Sequence, residues 1–180
     1  MRPLIPLTCL IPELRLVIFD VDGTLIDSQA EIMAAMALSF ASENLSLPDR
    51  PAVLSIVGLS LAEAFAVLCP ECKLAQQTRM VHAYKAAFND LRGPDGIAEM
   101  SPMFDGALAT LQALHAQHNT LLAVATGKSK RGLDKMIERH GLEGFFVSQQ
   151  VADFHPSKPH PAMVLAALSE TGVDLSLIHI

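Results

Sequence analysis

The chain has 180 residues and a formal net charge of −6 at neutral pH, from 13 Lys and Arg against 19 Asp and Glu. That length suits one domain, with or without an insert, and 51% hydrophobic against 18% charged residues excludes a disordered chain. The acidic balance weighs against a general nucleic-acid partner, whose phosphates need Lys and Arg. Mean hydropathy is +0.34, yet no apolar run reaches the ~18 to 20 residues that span a bilayer, so no membrane role and a cytoplasmic location are expected.

Residues 1–14 read as a loose leader. Pro3, Pro6 and Pro12 interrupt its apolar stretch and no A-x-A cleavage site follows, which argues against a signal peptide. Arg15 to Phe19, RLVIF, is a short apolar β-rich run of the kind that forms a strand buried on both faces. From Ala30 to about Met100 the patterns are helical, over Glu31 to Ser42, Ser60 to Leu68 and Leu74 to Leu91, with turn signals at Leu47 to Pro51 and at Gly93 to Gly96. This stretch, 30–100, is expected to be an all-helical insert. Inside it, Cys69-Pro70-Glu71-Cys72 is a lone C-x-x-C without a second ligand pair, so two reduced thiols at a helix junction are expected rather than a zinc or redox site.

After the insert, Asp105 can cap a helix with Leu108, Leu111 and Leu114 on one stripe. Thr120 to Ala125, TLLAVA, reads as a second strand ending at Thr126-Gly127. Ser129 can cap a helix running through Met136, Ile137 and His140 to Gly141, Phe145 to Val147 is a third strand candidate, and Pro161 can start a helix with Met163, Val164, Ala167 and Leu168 inward and Gly172 beyond its end. Strand and helix alternate, so the fold class is α/β with a parallel sheet.

The sharpest chemical signal is Asp20-Val21-Asp22-Gly23-Thr24 at the carboxyl end of the first strand, where ligands of open α/β sheets bind. Two acids straddling one turn are costly unless a cation neutralises them, and a divalent metal does so. A calcium loop of the EF-hand type would need a further Asp or Asn in the loop, where Thr24 stands.

FDVDGTLIDS closely resembles motif I of the haloacid dehalogenase superfamily. The helical insert resembles the C1 cap of that family, Thr126 in VATGKS its motif II, and Lys158 in HPSKPHP its motif III lysine. The tail of motif I and the cap resemble phosphoglycolate phosphatase-like members most. The resemblance implies a Rossmann-like core over 15–29 and 101–174 with the cap at 30–100. It implies Asp20 as nucleophile, Asp22 as general acid and base, Thr126 as phosphoryl ligand and Lys158 as the cation between phosphate and Asp20. It further implies Mg2+ on the Asp20 carboxylate and the Asp22 backbone carbonyl, with Gly23, Thr24, Gly127 and the cap loop at Gly58 near substrate. The implied activity is hydrolysis of a small phosphorylated metabolite, with 2-phosphoglycolate a candidate, through an aspartyl-phosphate. Sugar-phosphate mutases share these features, and a non-catalytic phosphometabolite-binding protein is the other reading. Lys128 reads equally well as approaching substrate or as a solvated helix-start lysine.

The sequence departs from the family after Asp174. An apolar strand ending in a Gly-Asp pair is expected there, and Leu175 to Ile180 supplies no acid. LSLIHI can be encoded by CTG TCT CTT ATA CAC ATC, which resembles a transposon end used in sequencing libraries. Residues 175–180 are therefore expected to be a non-native tail on a truncated chain, with a short terminus forming a partial strand as the alternative. Truncation would leave RLVIF with an unpaired edge and remove the third acidic metal ligand. At an effective dielectric near 20, Asp20 facing a phosphate dianion meets on the order of 8 kcal/mol of repulsion, so little activity is expected of this chain.

Overall fold

A computed structural model of the chain describes residues 13–91 and 101–175, and the backbone of 178–179. Four parallel strands form one sheet in the order β3-β2-β1-β4: β1 (Arg15–Phe19), β2 (Thr120–Thr126), β3 (Ser148–Val151) and β4 (Ile178–His179). The strand period of two decides the layering. Leu16 and Ile18 of β1, with Ala123 and Ala125 of β2, meet Met163 and Ala167 of α7 (Ala162–Thr171). Leu122 and Val124 face the other way, onto Leu111 of α5 (Ala107–His115) and Leu133, Met136 and Ile137 of α6 (Lys130–His140). β1 thus lies at the switch point of the sheet, with β2 and β3 to one side and β4 to the other, and its carboxyl end opens on a crevice.

Between β1 and α5 the described residues make four helices, α1 (Gln29–Ser42), α2 (Arg50–Ser55), α3 (Leu61–Leu68) and α4 (Leu74–Asp90). They bury an apolar cluster of their own. Ile32, Met36 and Phe40 recur at helical spacing on α1 and pack with Phe65, Met80 and Tyr84. Phe65 is enclosed by Phe40 and Tyr84, with ring centroids 6.0 and 6.4 Å apart. The buried Ser39 hydroxyl donates to the Met80 carbonyl at 2.7 Å and ties α1 to α4. The α/β sheet with an all-helical insert after its first strand is the architecture the sequence suggests.

Several details differ. The third strand begins at Ser148, not at Phe145 to Val147; Ala123 pairs with Ser148, and Val147 is exposed. The strand is polar yet buried because its side chains satisfy one another. Gln150 Nε2 donates to Ser148 Oγ at 2.8 Å, His155 Nε2 lies 2.7 Å from Gln150 Oε1, and Glu170 of α7 takes hydrogen bonds from Ser148 and Gln150. Asp105 does not cap α5; Gly106, at φ +81°, occupies that place without a side-chain cap. The Leu47 to Pro51 turn is followed at once by α2, which Asp49 caps by accepting from Ala52 N. Cys69 and Cys72 are joined as a disulfide and are not two free thiols. The turn that ends α3 brings their Cα atoms to 5.5 Å, within bridging range. The expected open edge of β1 is partly covered, since Leu16 and Val17 pair with Ile178 and His179. Residues 1–12 and the Gly93 to Gly96 turn lie outside the described residues.

Candidate active site

Asp20 is the first residue beyond β1, and the register of Phe19 against Val124 brings it and Thr126 to the same edge of the sheet. Its Oδ1 accepts from Val21 N at 2.7 Å, and its Oδ2 lies 2.9 Å from Lys158 Nζ. The chain then doubles back. Leu25 and Ile26 both donate to the Val21 carbonyl, and Gly23 N donates to Ile26 O at 2.9 Å. Gly23 sits at φ +79°, a conformation that favours glycine. The turn leaves Gly23 and Thr24 exposed and aims Asp22 back into the crevice.

Asp22 is held by two groups. Lys128 Nζ lies 2.7 Å from its Oδ1, and Ser28 Oγ donates to the same oxygen at 2.5 Å. The Lys128 and Asp22 side chains are only 7% and 12% exposed, so the pair is largely withdrawn from water. Lys128 Nζ also lies 5.5 Å from the centre of the Phe88 ring in α4. Of the two readings of Lys128, the solvated helix-start lysine is therefore excluded. A T-G-K run at a strand end hints at a cation near the crevice, but nothing in the spacing shows that it meets Asp22.

Thr126, fully buried, ends β2, and its Oγ1 accepts from Lys128 N at 3.2 Å. Ser129 caps α6 by accepting from Gly132 N at 3.2 Å. The cap loop closes the site from above. A Cβ on Gly58 would lie 3.7 Å from Asp20 Oδ2, and one on Gly127 would lie 2.6 Å from the carbonyl oxygens of both Gly58 and Leu59. Gly127 is thus required by backbone approach. Next in the loop, Ser60 N donates to Ser157 Oγ at 2.8 Å, beside Lys158. Asp20, Asp22, Thr126, Gly127, Lys158 and Gly58 are brought together, while Thr24 makes no described contact with them. His155 and His160 are engaged locally, with Gln150 and with Ala162 N.

The sequence profile of the haloacid dehalogenase-like hydrolases matches residues 17–180. The chain belongs to that family. It is 35% identical over 162 residues to a protein named probable phosphatase IndB from Dickeya dadantii, covering 88% of this chain and 68% of the relative. It is 32% identical over 165 residues to a phosphoglycolate phosphatase from Rhodospirillum rubrum, covering 89% and 68%. A solved hydrolase from Pseudomonas syringae shares the fold with a TM-score of 0.77 at 22% identity, over 91% of this chain and 74% of that one. Among the described residues no helix is long and apolar enough to cross a membrane.

In this haloacid dehalogenase-like hydrolase, a cavity of about 370 Å³ lies between cap and sheet edge. Asp22, Gly58, Gly127 and Lys128 line it; helices α1, α3 and α4 supply a mostly apolar side that includes Lys85 and Asn89, and Ser129, Arg131 and Lys135 a polar one. For a divalent metal, the Asp20 carboxylate and the Asp22 backbone carbonyl are hard oxygen donors of the kind Mg2+ takes. The only cluster of three His, Cys, Asp or Glu ligand atoms among the described residues is Cys69, Glu71 and Cys72, so no third carboxylate joins Asp20 and Asp22 there.

Proposed function

We propose that this hydrolase is a Mg2+-dependent phosphatase of small phosphorylated metabolites that works through an aspartyl-phosphate on Asp20. The observation that carries this reading is Asp20 at the strand end, paired with Lys158 at 2.9 Å under the Gly58 loop, beside an Asp22 locked by Lys128 and Ser28. With Asp22 carrying the proton that it donates, Asp20, Lys128 and Lys158 leave a single net positive charge, which does not match an arriving phosphate dianion. Asp20 and the Asp22 carbonyl would hold the metal, whose two positive charges would neutralise that dianion.

The chain's own groups account for the rest. The Asp20 carboxylate attacks phosphorus as the ester P–O bond breaks. Lys158 steadies charge on the transferring phosphoryl group and on Asp20. Asp22 Oδ2, which carries neither the Lys128 nor the Ser28 bond, gives a proton to the leaving oxygen. It then takes one from the water that cleaves the Asp20–phosphate bond, releasing inorganic phosphate. Thr126 and the amino end of α6 favour a phosphoryl oxygen near Gly127. The name of the Rhodospirillum relative makes 2-phosphoglycolate a candidate substrate.

With no third carboxylate beside Asp20 and Asp22 among the described residues, turnover by the 180-residue chain is proposed to be low. The test is hydrolysis of p-nitrophenyl phosphate with Mg2+ by this chain and by a version continued after Asp174 with the carboxyl-terminal part of the Dickeya relative. The continued version should be the faster, and Asp20→Asn should abolish its turnover while inorganic phosphate still binds. Undiminished hydrolysis by Asp20→Asn would sink the proposal.

A further inference from the structure

We infer that the alcohol portion of the substrate is an apolar body of aryl size, and not the short polar acid of 2-phosphoglycolate. This rests on the phosphatase reading of the site. The cavity that reaches Asp22 and Gly58 encloses about 370 Å³, a volume in the range of sites that enclose ligands much larger than two carbons. Its cap side is built from Met36, Ile56, Leu59, Leu61, Tyr84 and Phe88. Leu59, Leu61 and Phe88 are only partly buried, so part of their apolar surface faces the cavity. A small polar substrate would leave that surface wet, whereas a flat apolar one would remove it from water. The rings of Tyr84 and Phe88 are stacked, 5.5 Å between centroids, and present a rigid aromatic wall.

Most of the hydrogen-bonding and charged groups, Asp22, Lys128, Ser129 and Arg131 among them, come from the core side, while the helical cap supplies the apolar groups together with Lys85 and Asn89 of α4. A phosphate monoester with an aryl-sized alcohol matches this division, its phosphoryl end toward Gly127 and its apolar body against Phe88. Lys128 Nζ also lies over the Phe88 ring, 5.5 Å from its centre. The same lysine that locks Asp22 therefore sets one wall of the specificity cavity, so substrate bulk and the acid–base group are positioned together.

The test compares two stable analogues by calorimetry on the 180-residue chain. They are 1-naphthylmethylphosphonate, for an aryl ester, and 3-phosphonopropionate, for 2-phosphoglycolate, with inorganic phosphate as competitor. The naphthyl compound should bind at least about tenfold more tightly, since burying an aryl body contributes well over a factor of ten. Phosphate should displace it, and Phe88→Ala and Leu59→Ala should each narrow the difference several-fold. Equal or weaker naphthyl binding, or binding that neither variant nor phosphate alters, would overturn the inference. Hydrolysis of 2-phosphoglycolate by the continued chain in that event would leave the phosphatase reading intact. Tight, Phe88-dependent naphthyl binding, with no hydrolysis of 1-naphthyl phosphate or p-nitrophenyl phosphate by the continued chain, would instead uphold the cavity assignment and overturn the phosphatase reading.

Discussion

Replacing Gly127 with Ala probes the seating of the cap loop over the active site. The added methyl would stand 2.6 Å from two carbonyl oxygens, of Gly58 and Leu59, and 2.8 Å from the Gly58 carbonyl carbon. These are backbone atoms, so no side-chain rotation relieves the clash. Ordinary contact begins near 3.4 Å, so the loop has to withdraw by about 0.8 Å. That withdrawal carries Gly58 away from Asp20 Oδ2 and stretches the 2.8 Å bond from Ser60 N to Ser157 Oγ. A displacement of this order in a positioning element costs roughly 10- to 100-fold in rate. Gly127 does not adopt a positive φ, so no backbone strain adds to the clash, and the displaced loop is expected to cost about 1 to 3 kcal/mol of stability. In the continued chain, Gly127→Ala should thus lower kcat/KM for p-nitrophenyl phosphate by one to two orders of magnitude at a temperature where the variant remains folded. Full kcat/KM in a folded variant would show that catalysis does not use the closed loop.

Lys128→Met should destabilise the protein by on the order of 3 to 5 kcal/mol, because it strands Asp22 in a largely buried setting. Adding Asp22→Asn should recover part of this in denaturant unfolding, and a loss below about 1 kcal/mol would show that water already compensates Asp22. Ser129→Ala removes the only side-chain cap of α6 and should cost about 1 kcal/mol, with Ser129→Asp restoring most of it. Glu170 has its carboxyl held below the ordinary value of 4.5, first by the Ser148 hydrogen bond, then by Gln150 and weakly by His155, against opposing desolvation. A depressed carboxyl stabilises the fold above its unfolded value and loses that contribution as pH falls through the folded one. Unfolding curves of Glu170→Gln and the unsubstituted chain should therefore differ near neutral pH and converge in acid below 4.5; a constant gap would exclude this linkage.

The elements with strong local signals were legible. RLVIF carries its apolar residues on both faces of a central strand, and Ser129 to Gly141 carries a cap, an apolar stripe and a left-handed stop. β3 was not legible, because its buried polar residues are stabilised by His155 and Glu170 from other elements, which hydropathy cannot register. Asp105 was a plausible cap by residue type, but the backbone turns at Gly106 instead. Within the site, Asp20, Asp22, Thr126 and Lys158 lie at strand ends or in recognisable runs. The role of Lys128 rests on a contact with a residue 106 positions away, and the closeness of Gly127 to the Gly58 loop rests on cap placement. Neither has a periodicity that a reader of the sequence can find.

The most direct test of the central claim is the covalent state of Asp20 during turnover. Rapid acid quenching of the continued chain with p-nitrophenyl phosphate and Mg2+, followed by peptide mass spectrometry, should find one phosphoryl group on the peptide containing Asp20 and none in Asp20→Asn. Sustained turnover with phosphate on another residue, or with no phosphoenzyme trapped when its hydrolysis is slowed by Asp22→Asn, would contradict the account.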